Sequence, residues 1–178
     1  WLTGRSMPYI CCTQKLAKEL RIKPSSPQSE NIGLGNLYAN LLSIDRRKCV
    51  LFTHEQTLYS LLVPNLKKPE FLHLDDIFVQ ALFKQLRVEM FTQGQIESVL
   101  EEYDGKIMYA KTENKSVLGS MNDLAFHIKE VQFQEGLANA DMILLVRKVN
   151  GIPFKAIGFK YPETLFRLRL SNLVTKQL

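Results

Sequence analysis

The fold is decided by residues 37–64, LYANLLSIDRRKCVLFTHEQTLYSLLVP. This stretch contains three short apolar runs, at 37–44, 49–53 and 58–63, with polar residues between them. Short apolar runs separated by polar residues are typical of antiparallel strands joined by tight turns. The sequence therefore predicts a three-stranded antiparallel meander, whose apolar side chains must be covered by other elements.

Two further strands are expected outside the meander, near 8–13 and 106–111. Amphipathic helical patterns fill most of the remaining chain, and several begin with a recognisable start signal. Thr13 can cap a short helix, Thr92 opens a capping-box pattern, and Pro162 suits the first turn of a last helix. We therefore predict an α+β fold, in which a small antiparallel sheet is covered by about five or six helices.

The composition is that of an ordinary globular protein. Of the 178 residues, 46% are hydrophobic and 23% are charged, which suits one domain with a sizeable core. Residues 1–6, WLTGRS, precede Met7 and are interpreted as an expression remnant, so the predicted α+β domain spans 7–178. No apolar run approaches the roughly 18–20 residues that cross a bilayer, and no contact with a membrane is expected.

The cysteines indicate a reducing compartment. There are three, Cys11, Cys12 and Cys49, and an odd number with two adjacent is a poor disulfide framework. We therefore expect a cytoplasmic protein. The sequence has no C-x-x-C pair and no H-E-x-x-H motif, so neither a metal site nor a cofactor is predicted.

Positive charge is concentrated near the end of the chain. The formal net charge is +5, and residues 143–178 carry seven lysines or arginines against one acid, Glu163. This imbalance predicts an anionic partner, either nucleic acid or an acidic protein. The alternative is that the charges are spread over several faces and serve only solubility.

A second basic cluster lies within the meander, at Arg46, Arg47 and Lys48. We place these residues in the turn between the first two strands, where a cationic hairpin tip could enter a nucleic-acid groove. His54 could join the same surface. The alternative is a turn that is kept soluble by its charge.

The candidate catalytic residues are Asp123 and His127. Helical spacing places them one turn apart, so that the carboxylate could orient the imidazole as a general base. Ser120 lies on the same row, but the geometry argues against a serine triad. Ser120 and His127 would be roughly 10 Å apart, and Asp123 lies between them, where a triad requires the histidine. The alternative is a solvated helix face without chemistry.

The segment 111–116 is a candidate anion site, because it joins a predicted strand to the start of a helix. Backbone N–H groups at a helix N-terminus attract anions, and Lys111, Asn114, Lys115 and Ser116 could contribute side chains. The alternative is a helix capped by Asn114 or Ser116, with both lysines in solvent.

Three stretches carry a family resemblance: LYANLLSIDRRKCVLFT at 37–53, YAKTENKSVLGSMNDLAFH at 109–127 and VNGIPFKAIGFKYP at 149–162. Together they resemble a family of uncharacterised bacterial domains of unknown function, some of whose members occur on plasmids or other mobile elements. The resemblance covers the chain from Met7 to about Leu170. It implies no activity and identifies no catalytic residue.

Two functions of different classes follow from these observations. The first is a non-catalytic binding module that contacts an anionic partner with its basic C-terminal third and the turn at 45–48. It requires that these charges share one face. The second is a hydrolase or a phosphotransfer enzyme, in which Asp123, His127 and the segment 111–116 line one pocket.

Overall fold

The structure is a computed structural model that describes residues 8–27, 33–103, 107–135 and 142–176. The strands are β1 (Tyr9–Cys12), β2 (Leu37–Ile44), β3 (Arg47–His54), β4 (Ser60–Leu66) and β5 (Met108–Lys111). The helices are α1 (Gln14–Leu20), α2 (Leu74–Val88), α3 (Gln93–Glu102), α4 (Lys115–Glu135), α5 (Met142–Asn150) and α6 (Pro162–Lys176). The proposed expression remnant at 1–6 lies outside the described residues.

The predicted α+β class and the meander are confirmed. The strand order is β4-β3-β2-β1-β5, and β2, β3 and β4 pair antiparallel, as the sequence predicts. The prediction of an entirely antiparallel sheet is wrong, because β1 pairs parallel with both β2 and β5. The connection at 13–36 contains α1 and is long enough for the crossover that two parallel strands require.

The turn between β2 and β3 is tighter than predicted. Asp45 and Arg46 have positive φ angles of 48° and 61°, and they alone form the turn. Two consecutive residues with positive φ match the right-handed twist of the strands that they join. Arg47 and Lys48, which we placed in the turn, instead begin β3.

Successive side chains of a strand point to opposite faces of the sheet. Helices pack against both faces and bury these side chains. One face packs against α1, α2, α3 and α6, and we call it the α2 face. The other packs against α4 and α5, and we call it the α4 face. Adjacent cysteines show the division, since Cys12 lies on the α2 face and Cys11 on the α4 face.

The loop at 33–36, which we call the Leu34 loop, is held by three separate elements. Glu102 of α3 accepts a hydrogen bond from Leu34 N (3.3 Å), and His54 of β3 donates from Nε2 to Leu34 O (2.7 Å). Arg169 of α6 donates to Leu34 O and to Gly33 O. Gly33 has a φ of 104°, and a Cβ there would lie 2.8 Å from the Glu102 carboxylate. Only glycine allows this close approach without strain.

His54 is therefore a core residue. The expectation that it joins the cationic surface of the hairpin turn is wrong. It has no exposed surface, and its Nδ1 accepts from Thr57 N, which leaves the proton on Nε2. Burial lowers the pKa of His54 to about 4. The neutral imidazole thus joins the β3–β4 turn to the Leu34 loop.

The edge strand β4 is tied to both helical layers by one amide side chain. Asn150, at the end of α5, accepts from Ser60 N (2.8 Å) and donates to Ser60 O (2.9 Å). It also donates to the buried Glu89 carboxylate (3.1 Å), which Gln85 of α2 contacts as well (2.6 Å). At the opposite edge, Lys111 N of β5 donates to Ser25 O (2.9 Å).

We predict that acid destabilises this protein through His54. Its folded pKa, about 4, lies below the ordinary value of 6.5. The contribution of the neutral His54 to the free energy of unfolding is therefore complete above pH 6.5. It is lost as the pH falls towards 4, by about 3 kcal/mol in total. Urea denaturation of wild type and His54→Gln at pH 7.5, 5.5 and 4.5 measures this loss. The free-energy difference between the two proteins should shrink with acidification.

The matched control for that experiment is His73→Gln, because His73 is exposed. Its stability should stay parallel to that of wild type across the same pH series. If the unfolding free energies of His54→Gln and wild type also change in parallel with pH, His54 is not a buried neutral imidazole.

We predict that Asn150→Ala costs about 3 kcal/mol of unfolding free energy, because both backbone groups of Ser60 and one buried carboxylate lose a partner. Urea denaturation at pH 7 measures this cost. Asn122→Ala, on the exposed side of α4, is the control and should change stability by less than about 0.5 kcal/mol. A cost below about 1 kcal/mol for Asn150→Ala would contradict the role assigned to this amide.

Candidate functional site

The parallel strands β1 and β5 lie side by side, and their carboxyl ends meet at one edge of the sheet. After β1 the chain enters α1, on the α2 face, whereas after β5 it enters α4, on the opposite face. Where the chain leaves neighbouring parallel strands in opposite directions, a crevice opens beyond their carboxyl ends. This crevice is the place in the fold best suited to a small ligand.

Local sequence signals shape the crevice. Thr13 directly follows β1, and its side chain accepts a hydrogen bond from Leu16 N (3.4 Å). Thr13 therefore caps the start of α1, as predicted. The helix ends at Arg21, which has a left-handed backbone with a φ of 56°. The chain then turns back along the crevice, and Ser25 pairs with the end of β5 through its bond from Lys111 N.

The crevice holds an open pocket with a volume of about 520 Å³. Three lysines line it, and each comes from a different segment: Lys18 from α1, Lys23 from the segment after α1, and Lys111 from the end of β5. All three are exposed, and no ion pair within the described part of the chain engages their ammonium groups. The other lining residues are neutral, namely Cys12, Gln14, Ala17, Ile22, Pro24 and Thr112.

The lining residues favour binding over catalysis. Among the lining residues that the structure describes, none is an aspartate, a glutamate or a histidine. Cys12 is 2% exposed, and burial raises the pKa of its thiol to about 12. The thiol therefore stays protonated at neutral pH and is a poor nucleophile.

Of the four side chains predicted to form the anion site, only Lys111 lines this pocket, together with Thr112 of the same segment. The Asn114 side chain accepts from Ser116 N (3.0 Å) and Val117 N (3.3 Å), which confirms the cap. The backbone N–H groups of Ser116 and Val117, which the predicted anion site requires, therefore already donate to Asn114. Lys115 and Ser116 are exposed outside the pocket. Sequence reasoning missed Lys18 and Lys23, because nothing local shows that their segments meet β5.

The cluster at Arg46–Lys48 is divided. Arg46 and Arg47 are exposed at the hairpin tip, whereas Lys48 bonds to Glu19 at 2.6 Å and lies over the ring of Phe71. The tip thus presents two arginines and not a three-residue basic surface.

The positive charges of the basic C-terminal third lie on different elements. Arg169 donates to the Leu34 loop, and Arg167 bonds to Glu163 at 2.9 Å. Arg147 and Lys148 belong to α5, which lies on the opposite face of the sheet from α6. That these charges share one face that binds an anionic partner stays a prediction.

The candidate catalytic pair does not assemble. Asp123 is exposed, and no hydrogen bond joins it to His127 in the described structure. His127 is half-buried, with its ring edge-on to Phe154 at 6.3 Å. The Ser120 hydroxyl is buried and donates to Ser116 O (3.1 Å). Catalysis by Asp123 and His127 stays a prediction that this geometry does not favour, since neither residue lines the lysine pocket.

A second open cavity, of about 620 Å³, lies between α2 and α3. Its lining includes the carboxylates of Asp75, Asp76, Glu97 and Glu101. This groove repels anions, whereas the lysine pocket attracts them. Within the described ranges, no group of three or more histidine, cysteine or acidic side chains is arranged to hold a metal. None of the described helices combines the length and apolar character needed to cross a bilayer.

The chain was compared with known proteins. One family model, described as a domain of unknown function (DUF6933), matches residues 9–165. No curated protein and no solved structure matches the chain.

We predict that Cys12 reacts slowly with thiol reagents although it lines an open pocket. The rise of its pKa from 9.0 to about 12 leaves about a thousandfold less thiolate than in an unperturbed cysteine. Reaction with iodoacetamide at pH 8, followed by peptide mass spectrometry, measures the rate at Cys12. Labelling in urea should be fast. Rapid labelling of native Cys12 would show a reactive thiol and reopen the case for nucleophilic chemistry.

Proposed function

This chain belongs to the DUF6933 family of domains of unknown function, and we propose that it is a non-catalytic module that binds a phosphate-type anion in the lysine pocket. Lys18, Lys23 and Lys111 supply the positive charge. Gln14 and Thr112 supply neutral polar groups beside them.

The observation that supports this proposal is the convergence of three lysines on one concave surface. Like charges repel, so gathering three lysines around one open pocket, with no acidic residue among its described lining residues, raises the energy of the unliganded protein. A bound anion relieves that repulsion. The lysines come from three segments and no single helix periodicity brings them together, which favours a ligand site over a solvated helix face.

The size and shape of the pocket also indicate which kind of anion it binds. An extended nucleic acid or acidic protein is bound by a broad positive surface, whereas the lysine pocket is a concave site. A pocket of about 520 Å³ has the size of a small-molecule site. The proposed ligand is therefore a small anion or a single anionic group.

We predict that the full chain binds inorganic phosphate and that each of Lys18→Ala, Lys23→Ala and Lys111→Ala weakens binding about tenfold, the usual cost of a charge-assisted contact. Isothermal titration calorimetry at constant pH measures the dissociation constants. Affinity should fall as sodium chloride is raised, because surface charges are screened.

The matched controls are Lys15→Ala, on α1 but outside the pocket, and Lys115→Ala, from the original site prediction. Both should bind phosphate as wild type does. Equal losses in the control and pocket variants would assign the effect to overall charge. An absence of phosphate binding in wild type would contradict the proposal.

A further inference from the structure

The lysine pocket has an apolar wall that a simple anion does not use. Ala17, Ile22 and Pro24 line it together with the buried thiol of Cys12. Ile22 and Pro24 are only half-buried, so part of their apolar surface still faces water. Burying such surface against a ligand is favourable, by about 25 cal/mol per Å².

This wall is held in place before any ligand arrives. Ile22 N donates to Ala17 O (3.1 Å), which ties the segment to the end of α1. Pro24 has a fixed φ, and Ser25 is anchored to β5 by its bond from Lys111 N (2.9 Å). A preformed apolar surface spares the ligand the entropy cost of ordering it.

From this arrangement we propose that the natural ligand is a phosphate monoester of an apolar or aromatic group. This inference rests on the proposed anion-binding function. The phosphate lies among Lys18, Lys23 and Lys111, while the organic group packs on Ile22 and Pro24. A bare tetrahedral anion would leave most of the 520 Å³ pocket filled with water, whereas an ester fills it.

The test compares two monoesters of the same charge, methyl phosphate and phenyl phosphate, with inorganic phosphate as the reference. Calorimetry on the full chain should show phenyl phosphate binding about tenfold more tightly than methyl phosphate. Ile22→Ser should remove that preference. Ile157→Ser, a half-buried isoleucine outside the pocket, is the control and should keep it.

Because Ile22 also packs against the core of the α2 face, a second measurement uses wild-type protein. The Ile22 methyl resonances should shift upfield with phenyl phosphate, through the ring current, and not with methyl phosphate. Equal affinities for the two esters, or an unshifted Ile22, would overturn the ester inference and leave the anion site standing. If none of the three compounds binds, the proposed function itself fails.

Discussion

The parallel pairing of β1 with both of its neighbours is the constraint on which this structure depends. Parallel strands need crossover connections, and these connections place helices on the faces of the sheet. With β2 on one side and β5 on the other, β1 contacts α1 on the α2 face, and its Cys11 belongs to the core that α4 and α5 help to form on the α4 face. The same pairing brings the carboxyl ends of β1 and β5 together. The crevice with the lysine pocket therefore follows from strand direction and not from a loop motif.

Features set by neighbouring residues could be predicted from the sequence. The strand β2 has the predicted bounds, and Thr13, Thr92 and Pro162 start helices where expected. The direction of β1 could not be predicted in this way, because it depends on pairing with strands far along the chain. One local signal was present, since Cys11 and Cys12 are adjacent and both apolar, as in a strand buried on both faces.

The site shows the same limit. Lys111 was identified because it precedes a helix, but its partners, Lys18 and Lys23, lie almost a hundred residues away in the sequence. The excess of positive charge near the C-terminus does not by itself define a surface, because the half-buried Arg167 and Arg169 bond to groups within the fold. They hold Glu163, the carbonyl of Glu89 and the Leu34 loop. A segment's net charge thus says little about a surface when guanidinium groups serve as hydrogen-bond donors to the backbone.

The two edge strands of the sheet, β4 and β5, affect how separate molecules associate. An open strand border is a template on which another chain can add by backbone hydrogen bonding, the first step in fibre growth. On β4, the Asn150 amide occupies the outward N–H and C=O of Ser60, and Pro64 has no N–H to offer. On β5, Ser25 takes the outward amide of Lys111. These contacts remove docking points for a foreign strand, and we expect them to disfavour sheet-mediated aggregation of the native protein.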